Sequence, residues 1–318
     1  MYDVVALGEL LIDFTTQATD PDGYPTMAAH PGGAPANFLA AIAKFGGKAA
    51  LLGKVGTDTF GKLLTDTLRK AGVETKGLVA SDEFFTTLAF VTLDENGDRE
   101  FAFARKPGAD TQLRFDELDI SIIDEARVFH FGTLSLTDEP ARSTTYRAVE
   151  YAKAHGTLVT FDPNLRKPLW RDLGDAREQM LWGLDHADVV KISDEEVEFL
   201  FSLGAQDGAQ YILDRFPVKL VFVTCGADGC WFQNRKSSGH VDSLKNIKVV
   251  DTTGAGDIFG GSAVWKLLQT GKTPEDLTET ELREIVSFAC QAAGLSTTRP
   301  GGICSVPTFE ILQKQMCK

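Results

Sequence analysis

Short, almost continuous apolar runs alternate along this chain with segments of helical periodicity. That alternation restricts the possible folds more than any other feature. The runs are Val4–Ile12, Ala49–Val55, Arg127–Phe131, Leu158–Phe161, Val189–Ile192 and Leu220–Thr224. A strand that is apolar on successive residues is buried on both faces, as in a parallel sheet covered by helices. Helical patterns occupy Ala36–Phe45, Phe60–Ala71, Ala141–His155, Ala176–His186, Glu195–Leu203, Ile258–Leu268 and Glu281–Leu295. The order predicts an α/β fold with a doubly wound, mainly parallel sheet flanked by helices. With 318 residues, 43% of them hydrophobic, the chain can build such a core without staples.

One region breaks the pattern. Thr86–Leu93 and Arg99–Arg105 alternate with period two and are joined by Asp94-Glu95-Asn96-Gly97-Asp98. Asn-Gly between two such runs is a hairpin signal. No helix follows, so the hairpin is expected in a separate small sheet. Residues 14–34 lack helical periodicity, carry Pro21, Gly23, Pro25 and Pro31, and are expected to add strands to it. The predicted organisation is a core of residues 1–13, 35–85 and 107–318, with a β lid of residues 14–34 and 86–106. A lid over the strand ends would exclude water from a reaction.

Charge removes several function classes. Asp and Glu number 45 against 32 Lys and Arg, a formal net charge of −13. An acidic chain is a poor match for nucleic acid or an anionic membrane, and an anionic ligand needs a local positive site. No apolar run approaches the roughly 18 residues of a membrane span. The stretch Met1-Tyr2-Asp3-Val4-Val5 already reads as a strand, without a basic leader region. Cys225, Cys230, Cys290, Cys304 and Cys317 form no C-x-x-C, so neither a disulfide framework nor a zinc ribbon is expected. The reading is a soluble protein of a reducing compartment, the cytoplasm.

The local positive site is supplied by Val249-Val250-Asp251-Thr252-Thr253-Gly254-Ala255-Gly256-Asp257-Ile258. A strand runs into a small-residue turn that opens a helix. Consecutive N–H groups at such a start form an anion-binding nest, with the helix dipole behind it. A carboxylate at Asp257 could take the proton of a hydroxyl lying beside the bound anion, which points to phosphoryl transfer to an alcohol. Asp is also favoured at a helix start for its own sake, so a plain glycine turn fits the same residues. Pro31-Gly32-Gly33-Ala34-Pro35-Ala36-Asn37 is a second glycine turn at a helix start, and Asn37 could read a polyol. Ser193 and Glu196 have the spacing of a capping box. His130 falls inside a strand and suits a core position. No G-x-x-x-x-G-K-[ST] occurs, and Gly254-Ala255-Gly256 continues to Gly260 one residue too long for G-x-G-x-x-G. A P-loop enzyme and a nicotinamide-dependent oxidoreductase are both disfavoured.

Gly32-Gly33-Ala34-Pro35-Ala36-Asn37, taken with Asp251-Thr252-Thr253-Gly254-Ala255-Gly256-Asp257, resembles the paired signatures of the ribokinase/PfkB family of sugar kinases. The similarity runs through essentially the whole chain. Gly8-Glu9-Leu10-Leu11-Ile12-Asp13, Phe103-Ala104-Arg105-Lys106-Pro107-Gly108-Ala109-Asp110, Phe129-His130-Phe131-Gly132-Thr133-Leu134-Ser135 and Asp162-Pro163-Asn164-Leu165-Arg166-Lys167-Pro168-Leu169-Trp170 carry it further. They are most similar to the branch acting on fructose. The resemblance implies a ribokinase-like fold and ATP-dependent phosphorylation of D-fructose at its 6-hydroxyl. It makes Asp257 the base, with the N–H groups of Gly254, Ala255 and Gly256 as the anion hole. Asp13, Gly32, Gly33, Asn37, Phe90, Phe103 and Arg105 would contact the sugar, with Arg105, Phe101 and Phe103 on one face of the lid. Asn164, Arg166, Ser193, Thr224, Gly226, Gly229, Gly254 and Gly256 would bind ATP. Glu196 would reach magnesium through water, and Asp251, Thr253, Ser296, Gly301 and Ser305 would hold potassium, mostly by backbone carbonyls. The resemblance also implies a homodimer formed through the lid. The chief rival substrate is 2-keto-3-deoxygluconate, whose carboxylate Arg105 could pair; ribose, adenosine and fructose-1-phosphate stand further off. A non-catalytic sugar-binding homologue is the other alternative, and intact Gly254, Gly256 and Asp257 argue against it.

Overall fold

The computed structural model describes residues 1–93 and 99–316. The loop Asp94–Asp98, with its Asn96-Gly97 turn signal, and Cys317 lie outside the described residues.

The apolar runs assemble into one large sheet. From one edge its order is Ser238–Val241, Cys230–Asn234, Leu220–Thr224, Val189–Ser193, Leu158–Asp162, Ala126–Gly132, Tyr2–Leu7, Ala49–Gly56 and Val73–Glu74. Leu78–Ser81 also pairs with Ala49–Gly56. Pairing is parallel from Leu220–Thr224 onward, and antiparallel only at the Cys230–Asn234 and Ser238–Val241 edge. Alternate residues of the central strands face opposite helical layers. Val5, Leu7, Phe129, Phe131 and Phe161 pack with helices Ala141–Ala154 and Leu173–His186. Val4, Ala6 and Val128 pack with Ala34–Lys44 and Ala255–Thr270. Each fully buried phenylalanine contributes about 1.5–3 kcal/mol. Phe129, Phe131 and Phe161 are at most 1% exposed, so the layer they face is firmly attached. The doubly wound expectation holds.

A second sheet has the order Pro25–Gly32, Leu11–Thr19, Leu88–Leu93, Arg99–Ala104. The expected hairpin is one of its two antiparallel pairs, with Leu88 opposite Ala104, and it joins the other pair through the parallel contact of Leu88–Leu93 with Leu11–Thr19. Residues 14–34 contribute strands to the same sheet.

One expectation is corrected. Val4–Ile12 is not a single strand: the chain leaves the large sheet at Leu7 and enters the small sheet at Leu11. The crossing is invisible in the sequence because Leu10 and Ile12 are as fully buried as Val4 and Val5. An apolar run records burial, not which sheet does the burying. Helix Ala205–Arg215 and the terminal helix Phe309–Met316 are additions to the predicted elements. Among the described residues no helix is long and apolar enough to cross a membrane.

Candidate functional site

The carboxyl ends of the parallel strands and the small sheet enclose a cleft of about 440 Å³. Ligands of open α/β sheets gather at this end. Its floor is the first turn of helix Ala255–Thr270, which starts from Gly254 at φ 75°. A side chain there would crowd the Asn37 amide, 3.0 Å from where a Cβ would stand. The Gly254, Gly256 and Asp257 N–H groups have no protein acceptor among the described residues, so they present a donor cradle. Ala255 differs from expectation. Its N–H donates to the Thr252 carbonyl at 3.2 Å, closing the turn, so the nest is carried by its glycine neighbours.

Asp257 is buried in this turn, and Asn37 Nδ2 donates to its Oδ2 at 2.9 Å. Asn37 is presented by helix Ala34–Lys44, which begins at Gly33 and Pro35. Gly33 lies at φ 114°, where a Cβ would stand 2.4 Å from the Glu9 carbonyl oxygen. Only glycine lets the helix start so close to the first strand. The Glu9 carboxylate accepts the Ala34 N–H at 2.7 Å, serving as the cap that Gly33 has no side chain to provide. Burial pushes the Asp257 carboxyl up, opposed by the Asn37 bond and by the Lys191 and Arg166 charges. Burial likewise pushes Glu9 and Asp13 up to about 7 each, and it pushes Asp162 up against the pull of the Lys191 ammonium.

Asp13 and Phe103 line the cleft from the small sheet. Gly32 stands beside them without lining it: a Cβ there would fall 2.3 Å from Asp13 Oδ2, so the glycine makes room for that carboxylate. Asn164, Arg166, Ser193, Thr224 and Gly226 line the far side. The Ser193–Glu196 capping box is formed, with Ser193 Oγ accepting the Glu196 N–H at 3.2 Å and Glu196 Oε2 accepting the Ser193 N–H at 2.8 Å. Glu196 Oε1 also accepts the Leu165 N–H at 2.7 Å, tying the loop that carries Asn164 and Arg166 to this helix start. Glu196 thus has a complete structural role while still facing the cleft.

Thr224, Gly226, Thr252 and Gly256 also border a second cavity of about 550 Å³. It is mostly apolar, with Leu244, Ile247, Val249 and Phe259 in its walls, and Gly229 lies here and not in the cleft. The nest therefore joins a polar cleft to an apolar cavity. The wall from Leu244 to Ile247 was missed in the sequence, since an irregular segment carries no periodic signal, and the strand expected at Val249-Val250 is corrected: that stretch is irregular too. Glu9, Asp162 and Lys191 were missed too, hidden within apolar runs or at their ends.

Two sugar-contact expectations are corrected. Arg105 does not reach the cleft. It is 4% exposed, and its Nε and Nη2 donate to Asp110 Oδ2 at 2.8 and 2.7 Å. Nη1 donates to Thr137 Oγ1 and Nη2 to the Leu134 carbonyl, each at 2.7 Å. The strand ends at Ala104, so the period-two argument stops one residue short of Arg105. A guanidinium so engaged has no fork to offer a sugar acid, which removes that reason for the rival substrate. Phe90 is on the lid's other face: it stacks on Phe14 at 5.3 Å, and Phe14 meets Phe60 edge-on. Its neighbour Val91 lines the cleft instead. The side chain of Phe101 lies outside the described residues.

Of the residues expected around potassium, Asp251, Thr253 and Gly301 are bonded to one another. Asp251 carboxylate oxygens accept the Thr253 N–H and hydroxyl at 2.9 and 2.7 Å and the Gly301 N–H at 2.9 Å. Ser296 and Ser305 hydroxyls donate to the Ala293 and Gly302 carbonyls. With these side chains serving internal bonds, a cation here would draw on backbone oxygens. Among the described residues no group of three or more His, Cys, Asp and Glu side chains could hold a metal. His130 is a core residue, stacked on Phe38 at 3.8 Å and bonded to Thr160 Oγ1, and burial pushes it down to about 3.

Against known proteins, the family model described as pfkB family carbohydrate kinase matches residues 1–308. Fructokinase-1 of Zea mays is 43% identical over 98% of this chain and 96% of its own length. The crystal structure of fructokinase with bound ATP from Xylella fastidiosa is 30% identical, covers 100% of both chains and superposes with a TM-score of 0.91. Fructokinase from Vibrio cholerae O395, solved with fructose, ADP and calcium ion, is 32% identical over 98% of each chain, with a TM-score of 0.87.

Proposed function

The chain belongs to the pfkB family of carbohydrate kinases, and from that premise we propose that it transfers the terminal phosphoryl group of ATP to the 6-hydroxyl of D-fructose. The observation that carries the reading is Asp257 standing directly beside the Gly254 and Gly256 N–H groups, which have no protein acceptor among the described residues, on the floor of one cleft with Asp13 and Asn37. The relatives and solved structures bearing the name fructokinase support the choice of sugar.

In this reading the adenine lies in the apolar cavity and the phosphates cross Thr224 and Gly226 onto the nest. Asn164, Arg166 and Ser193 flank them, and Asp13, Asn37 and Phe103 bound the sugar. Asn37 occupies Asp257 Oδ2, which leaves Oδ1 to accept the proton of the sugar hydroxyl. The sugar oxygen, its proton now on Asp257, attacks the γ-phosphorus; the bond from that phosphorus to the β-phosphate oxygen breaks, and ADP leaves. Charge on the transferring group falls on fixed donors that need no reorganisation; losing one such donor costs about 2.7–4 kcal/mol in other enzymes. A magnesium ion would neutralise phosphate charge. The absence of an all-protein cage among the described residues fits an ion that arrives on phosphates, with Glu196 reaching it through water. Potassium would sit among the backbone oxygens around Asp251, Thr253, Ser296, Gly301 and Ser305. The small sheet is the lid, and its outer strands Pro25–Gly32 and Arg99–Ala104 each have one edge with no strand partner among the described residues, which suits pairing with a second copy.

A coupled ADP-release assay with ATP, magnesium and potassium tests the reading. The panel is fructose, 2-keto-3-deoxygluconate, ribose, adenosine and fructose-1-phosphate. Fructose is expected to give the highest kcat/KM. Preference for the sugar acid would overturn the substrate, and no release with any sugar would overturn the reaction.

A further inference from the structure

We propose that Lys191 is a phosphate-binding residue of this site, holding the terminal phosphoryl group of the nucleotide against the nest. The proposal rests on the nucleotide reading above. Lys191 is an anomaly where it stands. It lies in the central strand Val189–Ser193 between Val190 and Ile192, both 0% exposed. Strands of this kind are apolar, and a lysine is rarely placed there unless paired. Its side chain, 12% exposed, runs into the cleft, where Nζ meets Asp162 Oδ1 and Oδ2 at 3.2 and 3.0 Å. The same Nζ lies 3.1 Å from where a Cβ on Gly256 would stand, so the ammonium is directly beside the donor cradle.

Electrostatics supplies the reason. Glu9, Asp13, Asp194, Glu195, Glu196 and Asp257 line the cleft, while Arg166 and Lys191 are its only basic lining residues among those described. A polyphosphate entering such a cleft is repelled unless a fixed cation meets it. Arg166 is exposed and bonds only weakly to the neighbouring Leu165 carbonyl, at 3.4 Å, whereas Lys191 is anchored on a buried carboxylate. Asp162, Glu196 and Asp257 outweigh the effect of burial and hold the lysine above its ordinary value, so it stays charged. Both contacts to Asp162 are to one carboxylate, and an ammonium has three donors. Asp162 is then a positioning residue. It keeps Nζ at the nest before the nucleotide arrives.

The test compares the binding of AMP-PNP, which keeps a terminal phosphoryl group, with that of ADP, which lacks one. Titration calorimetry with magnesium is run on wild type, Lys191→Met and the doubly neutral Lys191→Met/Asp162→Asn. The double variant matters because the single one strands a buried carboxylate and can fail to fold. AMP-PNP affinity is expected to fall about 10- to 100-fold, the equivalent of one hydrogen bond to a charged group, with ADP affinity within about twofold. Equal losses for both nucleotides, or no loss for either, would overturn the proposal and leave the kinase reading standing. A wild-type protein that binds neither nucleotide would overturn both.

Discussion

Arg105→Met separates two accounts of one residue. If Arg105 recognised the sugar, its loss would raise KM and spare the fold. The structure instead makes it a clasp between the base of the lid and the core. The guanidinium is 4% exposed and spends four contacts of 2.7–2.8 Å on Asp110, Thr137 and the Leu134 carbonyl. Its removal leaves Asp110, 6% exposed, with the Thr87 hydroxyl and no cation partner among the described residues. Breaking a buried ion pair from one side costs about 3–5 kcal/mol. At roughly 2 °C per kcal/mol for a chain of this size, Tm should fall by about 6–10 °C. Thermal and urea unfolding measure this directly, beside the KM for fructose. Arg105→Met/Asp110→Asn should recover part of the loss, because it removes the stranded charge. A Tm within about 2 °C of wild type, with KM for fructose raised tenfold or more, would refute the clasp and restore Arg105 to the sugar site.

Asp257→Ala should lower kcat by about 10²- to 10⁴-fold or more in the ADP-release assay, while calorimetry finds nucleotide affinity little changed. Asn37→Ala removes a bond that favours the charged form of Asp257, so the acid limb of the kcat/KM profile should move to higher pH; an unmoved limb counts against Asp257 as the base. Glu9 is pushed up to about 7 by burial from an ordinary value of 4.5. The unfolded chain gives up this proton first, so its contribution is present in full below about pH 4.5 and is lost as pH rises towards 7. Glu9→Gln should flatten the decline of the urea midpoint across that window, and an unchanged slope would show that Glu9 is not what titrates. Gly33→Ala should cost at least about 1–3 kcal/mol in urea unfolding, since its Cβ must move away from the Glu9 carbonyl at a φ that alanine resists.

What the sequence alone determined is local. Burial on both faces writes itself into consecutive apolar residues, so the parallel strands and their helices were legible. A capping box is a three-residue relation, and Ser193 with Glu196 formed it. The turn from Thr252 to Asp257 was legible because glycines at a helix start have a local cause. Tertiary structure decided what meets what. Asn37 and Asp257 are 220 residues apart, and nothing along the chain announces their bond. Lys191 reaches Asp162 only because their two strands are neighbours in the sheet. Alternation divided the lid residues into two faces, but pairing of Phe14 with Phe90 put Phe90 on the side away from the cleft. Arg105 just past its strand was free to turn inward, where desolvation demands a carboxylate partner, and Asp110 was there to meet it. Periodicity reports that a side chain is buried; the partner that makes its burial tolerable is a property of the folded chain.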